Sequence, residues 1–403
     1  MSCRSVSEML TRLALLGAGG DLAGRLLLPA LATLHAEDRL PGDFRLVGAD
    51  TRDWDDDGFR RHVAERLERH AAALPAASRD AIVAAGRYRR ADVADTQAVA
   101  DAVRAVGEGR SVVAYLALPQ RSFTAAVTAL ATAGLPSGSR LAIEKPFGED
   151  LAGAGALNAL LRKRFAQDGA VYRVDHVLGT AAVDELTALR ASAEDVSEVE
   201  ILWEETLALE GRAGFYDAAG ALKDVLQNHM LQLVAVLASD DATSRLDALR
   251  AVRPPARSAM ALRTRRARYA GYAEEDGVDP ARGTETFAEV LLDVDTPRWA
   301  GTPFRLRAGK ALAATFQGVV LHRRSSGPQR VACGGEVEAY RRVLLDLLGG
   351  GSARAVSAEE ADEAWRIVMP VLDAWAAGDV PLKDYAAGSA GPPRLSPSSA
   401  IVM

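Results

Sequence analysis

The sequence predicts an N-terminal α/β domain on a doubly wound parallel sheet, in a chain long enough for a second domain. Three observations predict it. An apolar run at 13–16 leads straight into a glycine-rich turn. Further apolar runs alternate with helical stretches at 56–73 and 96–106. The length, 403 residues, exceeds what one ordinary hydrophobic core organises. Strands alternating with helices indicate parallel pairing, because each crossover returns the chain to the same end of the sheet.

The first strand ends in Gly17-Ala18-Gly19-Gly20-Asp21-Leu22-Ala23, followed by an apolar stretch through Leu31. Strand, glycine turn and helix is the reading. Glycines let the backbone approach a pyrophosphate, and the helix N-terminus offers N–H donors with a favourable dipole. The spacing is not a clean G-x-G-x-x-G, so a tight turn without a ligand is the bland alternative. The second strand, 44–49, ends in Asp50-Thr51-Arg52. An acidic residue here accepts from the ribose hydroxyls of NAD, and an arginine suits the 2′-phosphate of NADP. Both types are present and argue for opposite nucleotides, unless one or both only cap the turn.

Apolar runs at 112–119 and 141–143 read as further buried parallel strands. The second runs into Glu144-Lys145-Pro146-Phe147-Gly148. Ligands of such sheets bind at the carboxyl ends of the strands, which is where Pro119 and Lys145 fall. A solvated loop residue is the bland alternative for Lys145.

Two of the six histidines sit in polar segments beside apolar runs, in Arg173-Val174-Asp175-His176 and Gln227-Asn228-His229. A histidine with an orienting carboxylate is the usual means of taking a proton from an alcohol near neutral pH. The residues after the first pair, Val177-Leu178-Gly179-Thr180, carry no positive charge.

Composition narrows the classes. A net charge of −6 argues against nucleic acid or an anionic membrane as partner. No apolar run reaches membrane-spanning length, and the start of the sequence lacks a signal-peptide core. With only Cys3 and Cys333, no disulfide framework is expected and a reducing cytoplasm is the expected compartment. No metal site is expected.

Together the motifs resemble the glucose-6-phosphate dehydrogenase family. Those at 17–23, 115–119, 144–148 and 173–176 carry the resemblance. So do Arg212-Ala213-Gly214-Phe215-Tyr216-Asp217 through Gln227-Asn228-His229, Gly277-Val278, Thr284-Glu285-Thr286-Phe287 and Leu306-Arg307-Ala308-Gly309-Lys310. Trp365-Arg366 through Trp375 and Ala387-Gly388-Ser389 continue it in the family's order. The resemblance implies a Rossmann domain over 1–174 and an α+β domain with a mostly antiparallel sheet over 175–391. The Pro/Ser-rich residues 392–403 read as a flexible tail. It also implies oxidation of the C1 hydroxyl of a pyranose to a lactone, with hydride transfer to NADP or NAD. By the same resemblance His229 is the general base and Asp175 the carboxylate that orients it. Lys145 contacts sugar and cofactor, while Glu205, Asp224 and Lys310 hold sugar hydroxyls. His176 belongs to the 6-phosphate site. Gly17, Gly19, Gly20, Asp21, Leu22, Asp50, Arg52 and Pro119 fall on cofactor-binding positions.

The chain also departs from the family. The usual Tyr and Lys after Asp-His are Val177 and Thr180, and a further cation position is Thr315. A phosphate dianion needs charge-assisted partners. Losing two of them favours an unphosphorylated or altered hexose, whereas the overall resemblance favours glucose 6-phosphate. Arg323 and Arg324 are candidate replacements. The family's arginine after the second strand is Thr51, which favours NAD or dual use. The sheet is shortened between His322 and Glu336, where the family's outer strands help form a dimer, so a monomer or a different dimer is expected. A non-catalytic homologue with a binding or scaffold role is the alternative function. The retained Asp175, His229 and Lys145 count against it.

Overall fold

The structure is a computed structural model that describes residues 9–107, 109–167, 169–209 and 213–396. The chain divides into two compact units. One contains residues up to 148, 152–180 and 335–357, and the other contains 149–151, 181–334 and the chain from 358 on.

The first unit is the expected doubly wound α/β fold. Its strands are β1 (Arg12–Leu16), β2 (Arg45–Asp50), β3 (Gly86–Arg90), β4 (Val113–Leu116), β5 (Arg140–Glu144) and β6 (Val171–Val174). These pair in parallel in the order β3-β2-β1-β4-β5-β6, and a short strand, Ala355–Val356, adds antiparallel to β6. The order reverses at β1, so β1 and β4 flank the switch point where doubly wound sheets bind ligands. β1, β4 and β5 are buried throughout, as expected for strands covered on both faces.

A cut at residue 174 does not describe this unit. Residues 175–180 stay with it, and the chain returns at 335–357. The returning helix Glu336–Leu348 buries Tyr340, Val343, Leu344, Leu347 and Leu348 in the same core as β1 and β2. Its apolar spacing requires a core to pack on, but nothing in that spacing says which one.

The second unit holds a mixed sheet built on β7 (Val196–Glu204). The remaining strands are β8 (Val252–Arg253), β9 (Thr264–Tyr269), β10 (Phe287–Val294), β11 (Phe304–Gly309), β12 (Phe316–Arg323) and β13 (Gln329–Ala332), with a last strand at Leu382–Tyr385. The path is β13-β12-β7-β11-β10-β9 and then the last strand, with β8 paired to β10. The pairing is mostly antiparallel, the parallel exceptions being β7 with β11 and β9 with the last strand. β12 turns through residues 324–328 directly into β13.

The expected flexible tail is docked as far as it is described. The buried Leu395 donates its backbone N–H to Glu289 at 3.0 Å, Arg394 pairs with Glu200, and Arg307 donates to the carbonyl of Pro392 at 3.0 Å. The anchor is a largely buried charged network, Arg305 with Glu198, Glu200 and Glu289, on whose carboxylates the segment docks. Residues 397–403 lie outside the described residues, as does Arg212. No helix among the described residues is long and apolar enough to cross a membrane.

Candidate active site

In the first unit, the cofactor candidates gather at the carboxyl end of the sheet. Gly17 turns with φ +85°, and a Cβ there would stand 2.2 Å from the carbonyl oxygen of Ala117. Glycine is therefore required both by conformation and by the approach of β4's continuation toward Pro119. The turn closes through the N–H of Gly20 to the carbonyl of Gly17 at 3.0 Å, and helix begins at Asp21 and Leu22. Gly19 has no side chain to obstruct its face, and a Cβ there would meet the Arg52 guanidinium at 1.8 Å. A bare loop at a helix N-terminus behind a parallel strand fits a dinucleotide pyrophosphate.

Asp50 and Arg52 do not act as separate markers. Arg52 Nη1 lies 2.8 Å from Asp50 Oδ2, which also accepts the N–H of Gly19 at 3.0 Å. Oδ1 accepts the N–H of Thr51 at 2.8 Å. The guanidinium lies 5.2 Å from the Trp54 ring centroid, within cation–π reach. Asp50 is thus paired with the residue whose nucleotide preference opposes its own in the sequence. Asp21 at the helix start accepts from Arg25 at 3.2 Å, and Arg25 also bonds Glu336 at 2.9 Å.

Lys145 follows β5 and takes its place through its N–H to the carbonyl of Val174 at 3.1 Å. Asp175 follows β6, is buried, and caps the short turn His176–Gly179 through the N–H of Val177 at 3.1 Å. Val177 is buried, and the Thr180 hydroxyl donates to the carbonyl of Val177 at 2.7 Å. Arg354 brings a cation to this turn, donating to the carbonyl of Leu178 at 3.2 Å. His176 stacks on Tyr340, with centroids 5.1 Å apart.

In the second unit, β7 and β11 run in parallel and end together at Glu204 and Gly309. Glu205 and Lys310 follow them, and the Lys310 ammonium pairs directly with the Glu205 carboxylate. The Lys310 Nζ also lies 5.9 Å from the ring centroid of Tyr216. Burial, then the charges of Asp224, Glu285 and Glu205, holds the Tyr216 hydroxyl well above its ordinary pKa. Asp224 and His229 share the π-helix Leu222–Met230. π-turns are rare and concentrate at functional sites. The start of this helix is capped by Glu285, whose buried carboxyl accepts the N–H of Leu222 at 3.0 Å. Burial pushes that carboxyl up to about 7. His229 is buried and stacks on Trp203 with centroids 5.2 Å apart. Its backbone N–H donates to Asn228 Oδ1 at 2.8 Å, and Asn228 in turn donates to the carbonyl of Lys223 at 2.9 Å.

Two family models match this chain. The glucose-6-phosphate dehydrogenase NAD binding domain covers residues 14–185, and the C-terminal domain covers 190–334 and 323–399. The chain belongs to the glucose-6-phosphate dehydrogenase family. Glucose-6-phosphate 1-dehydrogenase 2 of Mycobacterium tuberculosis is 34% identical over 93% of this chain and 90% of that protein. Glucose-6-phosphate 1-dehydrogenase of Treponema pallidum is 30% identical over 94% of this chain and 92% of that protein. The crystal structure of glucose-6-phosphate 1-dehydrogenase from Mycobacterium avium superposes with a TM-score of 0.83 at 29% identity, covering 95% of each chain.

Within this family frame, the nucleotide-loop candidates come together with Asp50 and Arg52, and Glu205 comes together with Lys310. Asp175 belongs to the first unit and His229 to the second. Arg323 and Arg324 do not supply the missing cation at Thr315. Thr315 precedes β12 at the end paired with Glu204, and Arg323 closes the other end. Eight residues at ~3.3 Å each separate them by roughly 26 Å. Arg323 is instead bonded to Gln329 at 2.9 Å and Arg324 to the carbonyl of Glu194 at 2.8 Å. Thr315 itself accepts the N–H of Thr206 at 3.1 Å. Sequence reasoning missed Tyr340 and Arg354 because they arrive on the returning segment. Tyr216 and Glu285 lay inside quoted motifs, but only their burial among charged groups singles them out.

Proposed function

We propose that this chain oxidises the C1 hydroxyl of glucose 6-phosphate to the lactone, using NADP or NAD. The observation that carries the reading is the buried His229 imidazole, stacked on Trp203 and sharing one π-helix with Asp224. A fixed imidazole next to sugar-binding groups is what proton removal from C1–OH requires. The nicotinamide, when bound, accepts the hydride from C1. His229 takes the hydroxyl proton, and Asp175 stabilises the imidazolium that results. Glu205, Lys310 and Asp224 hold sugar hydroxyls, and Lys145 bridges sugar and nucleotide. Gly17, Gly19, Gly20, Asp21, Leu22 and Pro119 form the nucleotide cradle, with Asp50 and Arg52 at the ribose.

His176 is the principal cation for the 6-phosphate. Val177, Thr180 and Thr315 supply no charge, so discrimination between glucose 6-phosphate and glucose is compressed. The same three residues favour a second reading, in which the preferred sugar is an unphosphorylated hexose. Comparing kcat/KM for the two sugars with each nucleotide decides. A preference for glucose 6-phosphate is expected, whereas equal values or a preference for glucose would establish the second reading. Binding of neither nucleotide would leave only a scaffold role.

A further inference from the structure

Lys310 leaves β11 through a turn that the end of the chain holds in place. Its backbone N–H donates to the carbonyl of Thr286 at 3.0 Å, and its carbonyl accepts the Tyr385 hydroxyl at 2.6 Å. Ala311 follows with φ +49°. Among the described residues only Asp38 shares a positive φ without being glycine. An aspartate can offset the left-handed conformation by hydrogen-bonding locally, and an alanine has no such means. The surroundings must therefore impose this turn. The N–H of Ala311 donates to the carbonyl of Leu207 at 2.9 Å, and its carbonyl accepts the N–H of Gly388 at 2.8 Å. The N–H of Leu312 donates to the carbonyl of Glu205 at 2.9 Å, and that of Ala313 to the carbonyl of Ser389 at 2.8 Å. The turn is thus tied on one side to the backbone at 205–207 and on the other to 385–389.

Tyr385 supplies the side-chain bond to Lys310 in this clamp. It ends the last strand and is buried, with its ring edge-on to Tyr269 and Phe287. A tyrosine has one hydroxyl hydrogen, and the shortest contact is to the Lys310 carbonyl, which can only accept. The Thr286 hydroxyl, 3.0 Å away, then donates to the tyrosine oxygen and itself accepts the N–H of Tyr269 at 3.0 Å. Burial pushes the Tyr385 hydroxyl up to about 12, so it keeps its hydrogen at neutral pH.

We propose that Tyr385 is a positioning residue for the sugar site: it holds the left-handed turn at Ala311 and so aims the Lys310 ammonium at Glu205. This rests on the reading above, in which Lys310 and Glu205 hold sugar hydroxyls. The two residues follow neighbouring parallel strands, and backbone bonds join both to the same turn. Releasing the turn lets the backbone after Lys310 relax toward ordinary dihedral angles and carries the ammonium away from the carboxylate. Among the described residues the Tyr385 hydroxyl bonds only Thr286 and Lys310, so its loss acts through Lys310.

Tyr385→Phe keeps the ring and removes the hydroxyl. The KM for glucose 6-phosphate should rise about three- to tenfold, the worth of one hydrogen bond whose loss leaves a carbonyl unpaired. The kcat and the nucleotide KM should stay within about twofold. Glycine adopts the left-handed conformation freely, so adding Ala311→Gly to Tyr385→Phe should return the sugar KM to within about twofold of wild type. Should Tyr385→Phe alone fail to fold, the same added change should restore a folded protein with that KM. Tyr269→Phe removes a neighbouring hydroxyl that bonds Glu275 instead, and it should leave the sugar KM unmoved. An unchanged KM in Tyr385→Phe, an equal rise in Tyr269→Phe or no rescue by Ala311→Gly would overturn the proposal. Lys310→Met separates it from the reading beneath it. A sugar KM indifferent to Lys310→Met overturns the role of Lys310 and the proposal with it. A sugar KM that responds to Lys310→Met and not to Tyr385→Phe overturns the positioning alone.

Discussion

Arg52 and Asp50 form a 2.8 Å ion pair that lies against Gly19, at the position proposed to read the adenosine ribose. The pair cancels most of the charge that Asp50 would present to a 2′-phosphate. It also leaves Arg52, which is 45% exposed on its side chain, able to reach one. On the proposed placement of these residues at the ribose, the arrangement is expected to accommodate both nucleotides rather than select between them.

A charge-pair variant tests this. Asp50→Ala removes the ribose acceptor and releases Arg52, so the ratio of kcat/KM for NADP over NAD should rise by about tenfold, the equivalent of one charged hydrogen bond. Arg52→Ala should shift the same ratio the other way. Steady-state kinetics with both nucleotides checks each variant, and a ratio that does not move in Asp50→Ala would mean that Asp50 serves only the Gly19 turn.

His229→Asn should lower kcat by about 10²–10⁴-fold, the usual worth of a general base. Sugar KM should change little, because the proposed holders of the hydroxyls, Glu205, Lys310 and Asp224, are left in place. Asp175→Asn should reproduce part of that loss, and adding it to His229→Asn should cost little more, because residues acting as one unit are not additive. Full activity in His229→Asn would remove the base from its assigned place.

Much of this was legible in the sequence, for reasons that can be named. The glycine turn at 17–20 and the strand ends at Asp50, Pro119, Lys145 and Asp175 follow from local periodicity and turn chemistry. What was not legible depends on long-range return. Tyr340 joins His176 only because residues 335–357 fold back onto the first unit, and the apolar stripe of their helix fits any core. The 392–396 segment has the composition of a tail, yet Glu289 and Glu200 give its backbone and Arg394 partners. The opposing signals of Asp50 and Arg52 resolve into one ion pair because the two side chains fold onto each other.

Two buried carboxyls make stability depend on pH in a direction that can be stated. Glu285 and Glu144 are each pushed up from 4.5 to about 7, with burial the leading cause. A raised carboxyl contributes its stability in full below its unfolded pKa and loses it as pH rises through the folded one. The loss falls between about pH 4.5 and 7, and at about 1.4 kcal/mol per pH unit each carboxyl is limited to about 3 kcal/mol. His62, lowered by burial, works the opposite way near pH 6.5 and offsets part of the slope. Glu338, held down at about 2 chiefly by its hydrogen bond to Arg341, titrates below this range and does not contribute to it. Thermal unfolding should therefore show Tm falling from pH 5 to pH 7.5. Glu285→Gln keeps an acceptor for the Leu222 N–H and removes the titration, so its Tm should fall less over the same interval. A slope identical to wild type in Glu285→Gln would mean that the helix carrying Asp224 and His229 is capped by a carboxyl already ionised at pH 5.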